Sequence, residues 1–108
     1  MKEYELMYII KPNISQERSQ EIVENLKKTF IKNKDINYFE EIIPASIELK
    51  ELAYPIKKFQ KGYYVQSTIK ADNTFVEKFN QLMQITEEIL RFLIIKNKTH
   101  KLGENNVK

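Results

Sequence analysis

Cysteine is absent from this chain of 108 residues, histidine occurs once and glycine twice. Without cysteine there are no disulfides, no thiolate metal ligands and no cysteine nucleophile, a usage that fits a reducing cytosol. His100, the lone imidazole, has no second imidazole or thiol with which to hold a metal, and reads as a solvated tail residue. Gly62 and Gly103 cannot build a phosphate-cradling loop or a dinucleotide fingerprint. No apolar run is long enough to span a bilayer, and the first residues carry no signal-peptide pattern. The arginines are Arg18 and Arg91 alone, so no arginine-bearing loop offers itself to a small anion. Ser15, Ser19, Ser46 and Ser67 have no base nearby in a recognisable frame. The pairs Glu40-Glu41 and Glu87-Glu88 are read as extended, where neighbours point to opposite faces and do not converge on one substrate. Together these absences argue against an enzyme, a cofactor and a small-molecule substrate.

What the chain does have is enough apolar residue, 42%, for one packed domain of this length. Residues 3–10 alternate as a strand, with Tyr4, Leu6, Tyr8 and Ile10 on one face. The other face ends apolar at Met7 and Ile9, so it is not expected to be wholly solvated. Pro12-Asn13 stops the strand and Ser15 is the expected N-cap of a helix. That helix buries Ile22, Val23, Leu26 and Phe30. A polar turn at 33–35 leads into an extended stretch over 36–49. Pro44 within it cannot donate to a ladder, which implies an edge, a bulge or a kink. Residues 62–70 read as the next strand, with Tyr63, Val65, Ser67 and Ile69 sharing a face. Thr74 and Glu77 form a capping-box pair for a second helix burying Phe75, Phe79, Leu82 and Met83. A densely apolar strand over 89–95 follows. The order predicts an α+β fold, the ferredoxin-like split β-α-β arrangement (βαββαβ), with a four-stranded antiparallel sheet and two helices on one face. One domain is expected over 1–97. Residues 98–108 are expected to be a flexible polar tail, dispensable for folding but useful in assembly.

The net charge of +3 is unevenly spread. Five lysines against Glu51 lie between Lys50 and Lys70, and four against Glu104 lie from Lys96 onward. Such clusters can form an electrostatic footprint for phosphates. The first cluster surrounds Leu52-Ala53-Tyr54-Pro55-Ile56-Lys57-Lys58, with Gly62-Tyr63 a few residues on. Pro55 pushes Tyr54 into an extended conformation, and the heptapeptide reads as a bend between two extended segments. Leu52, Tyr54 and Ile56 alternate as its apolar anchors. This stretch resembles the signature of the bacterial small ribosomal subunit protein six family: glycine, any residue, basic, polar, Leu-Ala-Tyr-Pro-Ile, any residue, basic. Lys50, Glu51, residues 52–56 and Lys58 match it. Glu48 stands where the family has glycine, a costly exchange if the bend needs positive φ there. Tyr4-Glu5, Ile9, Pro12-Asn13 and residues 85–96 extend the resemblance over about residues 1–97.

The resemblance implies an architectural protein of the small ribosomal subunit, cytoplasmic and ribosome-associated. It would bind the central domain of the 16S ribosomal RNA as a partner of small-subunit ribosomal protein eighteen, with no membrane involved. It also implies RNA contacts from Lys2, Lys50, Lys57, Lys58, Lys61 and Arg91. Tyr54 and Pro55 are expected to shape the bend rather than touch RNA. Two other readings share the element order. An RNA-recognition-motif domain finds a partial RNP1 match in Lys61-Gly62-Tyr63-Tyr64-Val65. Tyr64, however, stands where a small residue is required, and Tyr63 alternates with core positions. A small-molecule regulatory or acylphosphatase-like domain would need an anion-holding loop that the sequence lacks.

Overall fold

Alternation at the N-terminus becomes the first strand of the computed structural model, which describes residues 2–97. The expected tail over 98–108, with His100 and Gly103, lies outside the described residues. Strand β1 (Lys2–Ile10) buries Tyr4, Leu6, Tyr8 and Ile10. Helix α1 (Gln16–Lys32) starts at Ser15, whose Oγ accepts the Arg18 backbone N–H at 3.0 Å. Its buried stripe is Ile22, Val23, Leu26 and Phe30, as the four-residue spacing demands. Strands β2 (Phe39–Ile56) and β3 (Phe59–Ala71), helix α2 (Thr74–Ile85) and strand β4 (Ile89–Lys96) complete the chain.

The strands lie in the order β2-β3-β1-β4, and every neighbouring pair is antiparallel. With the element order, this is the ferredoxin-like split β-α-β arrangement expected from the sequence. Both helices pack on the face carrying Tyr4 and Tyr8. The Phe30 ring meets Phe75 edge-on, with centroids 4.9 Å apart, and Phe75 stacks on Phe79 at 5.8 Å. Tyr4 stacks on Phe75 and Tyr8 tilts over Phe79, so the rings join both helices to the central strand. Each such pair contributes about 0.5–1.5 kcal/mol beyond the burial of its area.

The edge strand β2 departs from the sequence reading in instructive ways. It starts at Phe39, because the preceding backbone is held elsewhere: the Asn37 and Tyr38 N–H groups donate to the Asp72 carboxylate at 2.5 and 3.3 Å. Pro44 does fall on an edge. The β2–β3 register slips between Glu41 and Ile43 and again between Ile43 and Ser46, so the missing donor sits in an irregular stretch. The Leu-Ala-Tyr-Pro-Ile segment holds a break in the ladder, since the β2–β3 register shifts between Glu51 and Ile56, but it is not where the chain reverses. It continues β2 to Ile56, and the reversal occurs at Lys57-Lys58, which sit at φ 51° and 72° between the paired residues Ile56 and Phe59. β3 accordingly begins at Phe59 rather than Gly62. Glu48 is paired with Tyr64 inside the strand and is not among the positive-φ residues, so the exchange for glycine imposes no strain there. Helix α2 has no capping box. Its N-cap is Asn73, in helical conformation with no side-chain cap bond, and Thr74 is the first helical residue. The Thr74 hydroxyl instead lies 2.7 Å from both the Asp35 carbonyl and Asp72 Oδ1. Glu87 and Glu88 form the turn before β4 rather than an extended pair, and Glu88 reaches Arg18 at 3.3 Å.

Candidate nucleic-acid and protein interface

The β1–β3 register ends at Ile10 opposite Tyr63. Beyond that point residues 50–61 of β2 and β3 continue as a two-stranded arm, with Lys50 opposite Gly62, Glu51 opposite Lys61 and Ile56 opposite Phe59. Lys57 and Lys58 form its apex, and Lys61 lies on its returning strand; all three are exposed. Positive φ favours Asn and Gly in two-residue hairpins, yet both apical positions are lysine. The turn, and not strand alternation, therefore sets the directions of Lys57 and Lys58. Within the arm Leu52, Ile56 and Phe59 are half-buried, whereas Tyr54 is 63% exposed. Tyr54 is thus no apolar anchor.

Gly62 seats the arm on the sheet. A side chain there would overlap the Ile9 Cγ2 methyl and press on the Ile10 carbonyl at 3.3 Å. Ile9 is buried yet lies outside the helix-covered core cluster. It occupies a cross-sheet row running Glu48, Tyr64, Ile9, Arg91. Lys50 Nζ lies 5.6 Å from the Tyr64 ring centroid, a cation–π distance, and 3.4 Å from Glu48. Lys50 and Arg91 are thereby placed at the arm end of the sheet with Lys57, Lys58 and Lys61. Lys2 is not. It begins β1, opposite Ala71, about 27 Å from Ile10 at roughly 3.4 Å per residue. Five of the six expected contacts share one end of the molecule, and the sixth lies at the other.

The sheet face away from the helices is uncovered and carries an apolar patch among polar residues. Met7, Ile43, Pro44, Leu93 and Ile95, with Glu5, Gln66 and Thr68, line a concavity of about 500 Å³. Ile43 is 57% exposed, Ile95 48% and Leu93 46%. The sequence reading had only half of this. Alternation in β1 marks the apolar end of its second face, and Leu93 and Ile95 extend that face on β4. Their alternation with the half-buried Phe92 and Ile94 was the available signal. On this face β1 and β4 present no aromatic residue, so Tyr64 has no partner for a base-stacking platform of the RNA-recognition kind.

Displaced protonation equilibria do not gather into a reactive site. Burial pushes the Tyr8 phenol up, helped by the Glu41 and Glu24 carboxylates. Hydrogen bonds from Arg18 to Glu21 and Glu88 raise its pKa, and a hydrogen bond to Glu40 raises that of Tyr38. Each of these groups is structural or paired at the surface, and among the described residues no cluster could hold a metal ion. Nor is any described helix long and apolar enough to cross a membrane.

Such a chain is an α+β domain that presents an apolar sheet face and a basic arm. The family model described as ribosomal protein S6 matches residues 3–96. The small ribosomal subunit protein bS6 of Phytoplasma australiense is 43% identical over 96 residues, which are 89% of this chain and 99% of that protein. The bS6 protein of Halalkalibacterium halodurans is 37% identical over 98 residues, 90% of this chain and 98% of that one. The crystal structure of 30S ribosomal protein S6 from Thermotoga maritima superposes with a TM-score of 0.75 at 27% identity, covering 95% of this chain and 94% of that chain. The chain belongs to the ribosomal protein S6 family of the small subunit, which is a family of structural ribosomal proteins and not of enzymes.

Proposed function

We propose that this chain binds the central domain of the 16S ribosomal RNA together with small-subunit ribosomal protein eighteen, fixing RNA shape in the cytoplasmic ribosome and performing no reaction. The observation that carries this reading is the apolar concavity on the uncovered face of the same sheet that extends into the basic arm. Ile43, Leu93, Ile95 and Met7 suit the apolar centre of a protein–protein interface. Lys50, Lys57, Lys58, Lys61 and Arg91 suit phosphates. Lys2, at the far end of β1, would meet a separate stretch of backbone. A net charge of +3 provides little counterion release, so the protein partner is expected to supply part of the affinity. The test is to titrate central-domain RNA with the chain at physiological salt, with and without small-subunit protein eighteen. Tight binding is expected only with the partner, and tight, specific binding by the chain alone would refute the reading.

A further inference from the structure

We infer that Tyr54 is a stacking platform for one unpaired RNA base, held out on the arm beside the lysines that take the flanking phosphates. The inference rests on the proposed RNA reading and names what the arm binds. Tyr54 is an aromatic ring left 63% exposed on a two-stranded arm whose other apolar residues, Leu52, Ile56 and Phe59, are half-buried. It lines a hollow of about 280 Å³ with Pro55, Gln60, Lys61 and Glu51. That size is near the lower end of the range for small-ligand clefts and suits a single planar ring. The chemistry of the hollow separates base from backbone. The Glu51 carboxylate disfavours a phosphate inside it but can accept hydrogen bonds from an exocyclic amine, and the Gln60 amide can pair with a base edge. The phosphates belong outside, at the apex that Lys57 and Lys58 form, whereas Lys61 lines the hollow across from Glu51. Both apical lysines take left-handed backbone, a conformation that Asn or Gly would adopt at lower cost. An exposed aromatic flanked by cations matches the chemistry of unpaired bases, which offer a π-face and a charged backbone.

The test uses the full chain with small-subunit protein eighteen and central-domain RNA, comparing wild type with Tyr54→Leu and Tyr54→Phe. Tyr54→Leu should weaken RNA binding about 5- to 150-fold, the range found when a stacked aromatic is lost, and Tyr54→Phe should stay close to wild type. The salt dependence should be the same for all three, because no charge is removed. The melting temperature should also hold, since the ring is exposed, and so should affinity for protein eighteen without RNA. Wild-type affinity in Tyr54→Leu would overturn this inference alone and leave the proposed function standing. A loss of protein-eighteen affinity in Tyr54→Leu would also overturn it, by making the ring a protein contact. A wild-type chain that binds no RNA even with its partner would overturn both.

Discussion

A side chain at position 62 would have to share space with Ile9 Cγ2, a methyl on a β-branched residue that has little rotameric freedom to yield. Gly62→Ala should therefore destabilise the fold by about 1–3 kcal/mol, the usual cost of overpacking, measured as a shift in denaturant midpoint. A neutral result would mean that β1 and β3 can separate at this point more easily than their pairing implies. At the other end of the same strand Asp72 ties the α1–β2 connection to the start of α2. Burial alone would raise its carboxyl pKa, but the Thr74 hydroxyl and the N–H groups of Asn37, Tyr38 and Phe75 outweigh it and hold the pKa below the ordinary 3.8. Because the folded value is the lower one, the stabilisation is complete at neutral pH. It is lost as the pH falls from 3.8 through the folded value. Asp72→Ala should cost about 1 kcal/mol at pH 7, allowing for solvent screening of a half-exposed group. Its stability gap from wild type should close in the acid range below pH 3.8. A gap that stays constant down to pH 2 would show that the charge of Asp72 contributes nothing.

The β2–β3 hairpin is the element on which strain and proposed function meet. Lys57 and Lys58 occupy left-handed backbone, which costs an L-residue other than glycine roughly 1–2 kcal/mol per position. The double substitution Lys57→Asn, Lys58→Gly supplies the residues such a turn favours and removes both charges. It should raise stability by about 1 kcal/mol while making the salt dependence of RNA binding, with the partner present, shallower by about one to two units of slope. Chemical denaturation and salt-dependent titration read the two effects separately; if stability does not rise, the turn is not strained. This element also shows how far the sequence could be read. Helix α1 was legible because Ser15 and the stripe from Ile22 to Phe30 are local signals, and Pro44 carried its edge position in its own missing donor. The reversal at Lys57-Lys58 was hidden because lysine is not a turn residue and Pro55 looked like one. Thr74 and Glu77 fitted a capping box by spacing, but Asp72, bound to a segment 35 residues away, took the anchoring role that a local pattern cannot see. Alternation makes Tyr54 an anchor because it assigns a face to a residue, but it cannot tell whether anything covers that face.

Across the whole molecule, the helices cover one sheet face and leave the other uncovered, and the arm carries Lys57, Lys58 and Lys61 beyond both. Five basic candidates were legible as a cluster through the 50–61 lysines and the resemblance of Arg91. That Lys2 stands apart became visible only once β1 was paired along its whole length. This geometry predicts that protein and RNA recognition can be disabled independently. Leu93→Glu puts a charge at the centre of the apolar face. Leu93 is 46% exposed, so the fold should lose about 1 kcal/mol or less. Affinity for small-subunit protein eighteen, measured without RNA, should nevertheless fall at least about tenfold, because a carboxylate would be desolvated at the centre of an apolar contact. Replacing Lys57, Lys58 and Lys61 together by Ala should leave that protein affinity unchanged and lower RNA binding by the assembled pair. The two sets lie on different parts of the molecule and share no partner residue, so their effects on assembly of the three-component complex should add in free energy within about 0.5 kcal/mol. Strong non-additivity in that double-mutant cycle would mean that the partner protein reaches onto the arm, and the division between an apolar protein face and a basic RNA arm would have to be redrawn.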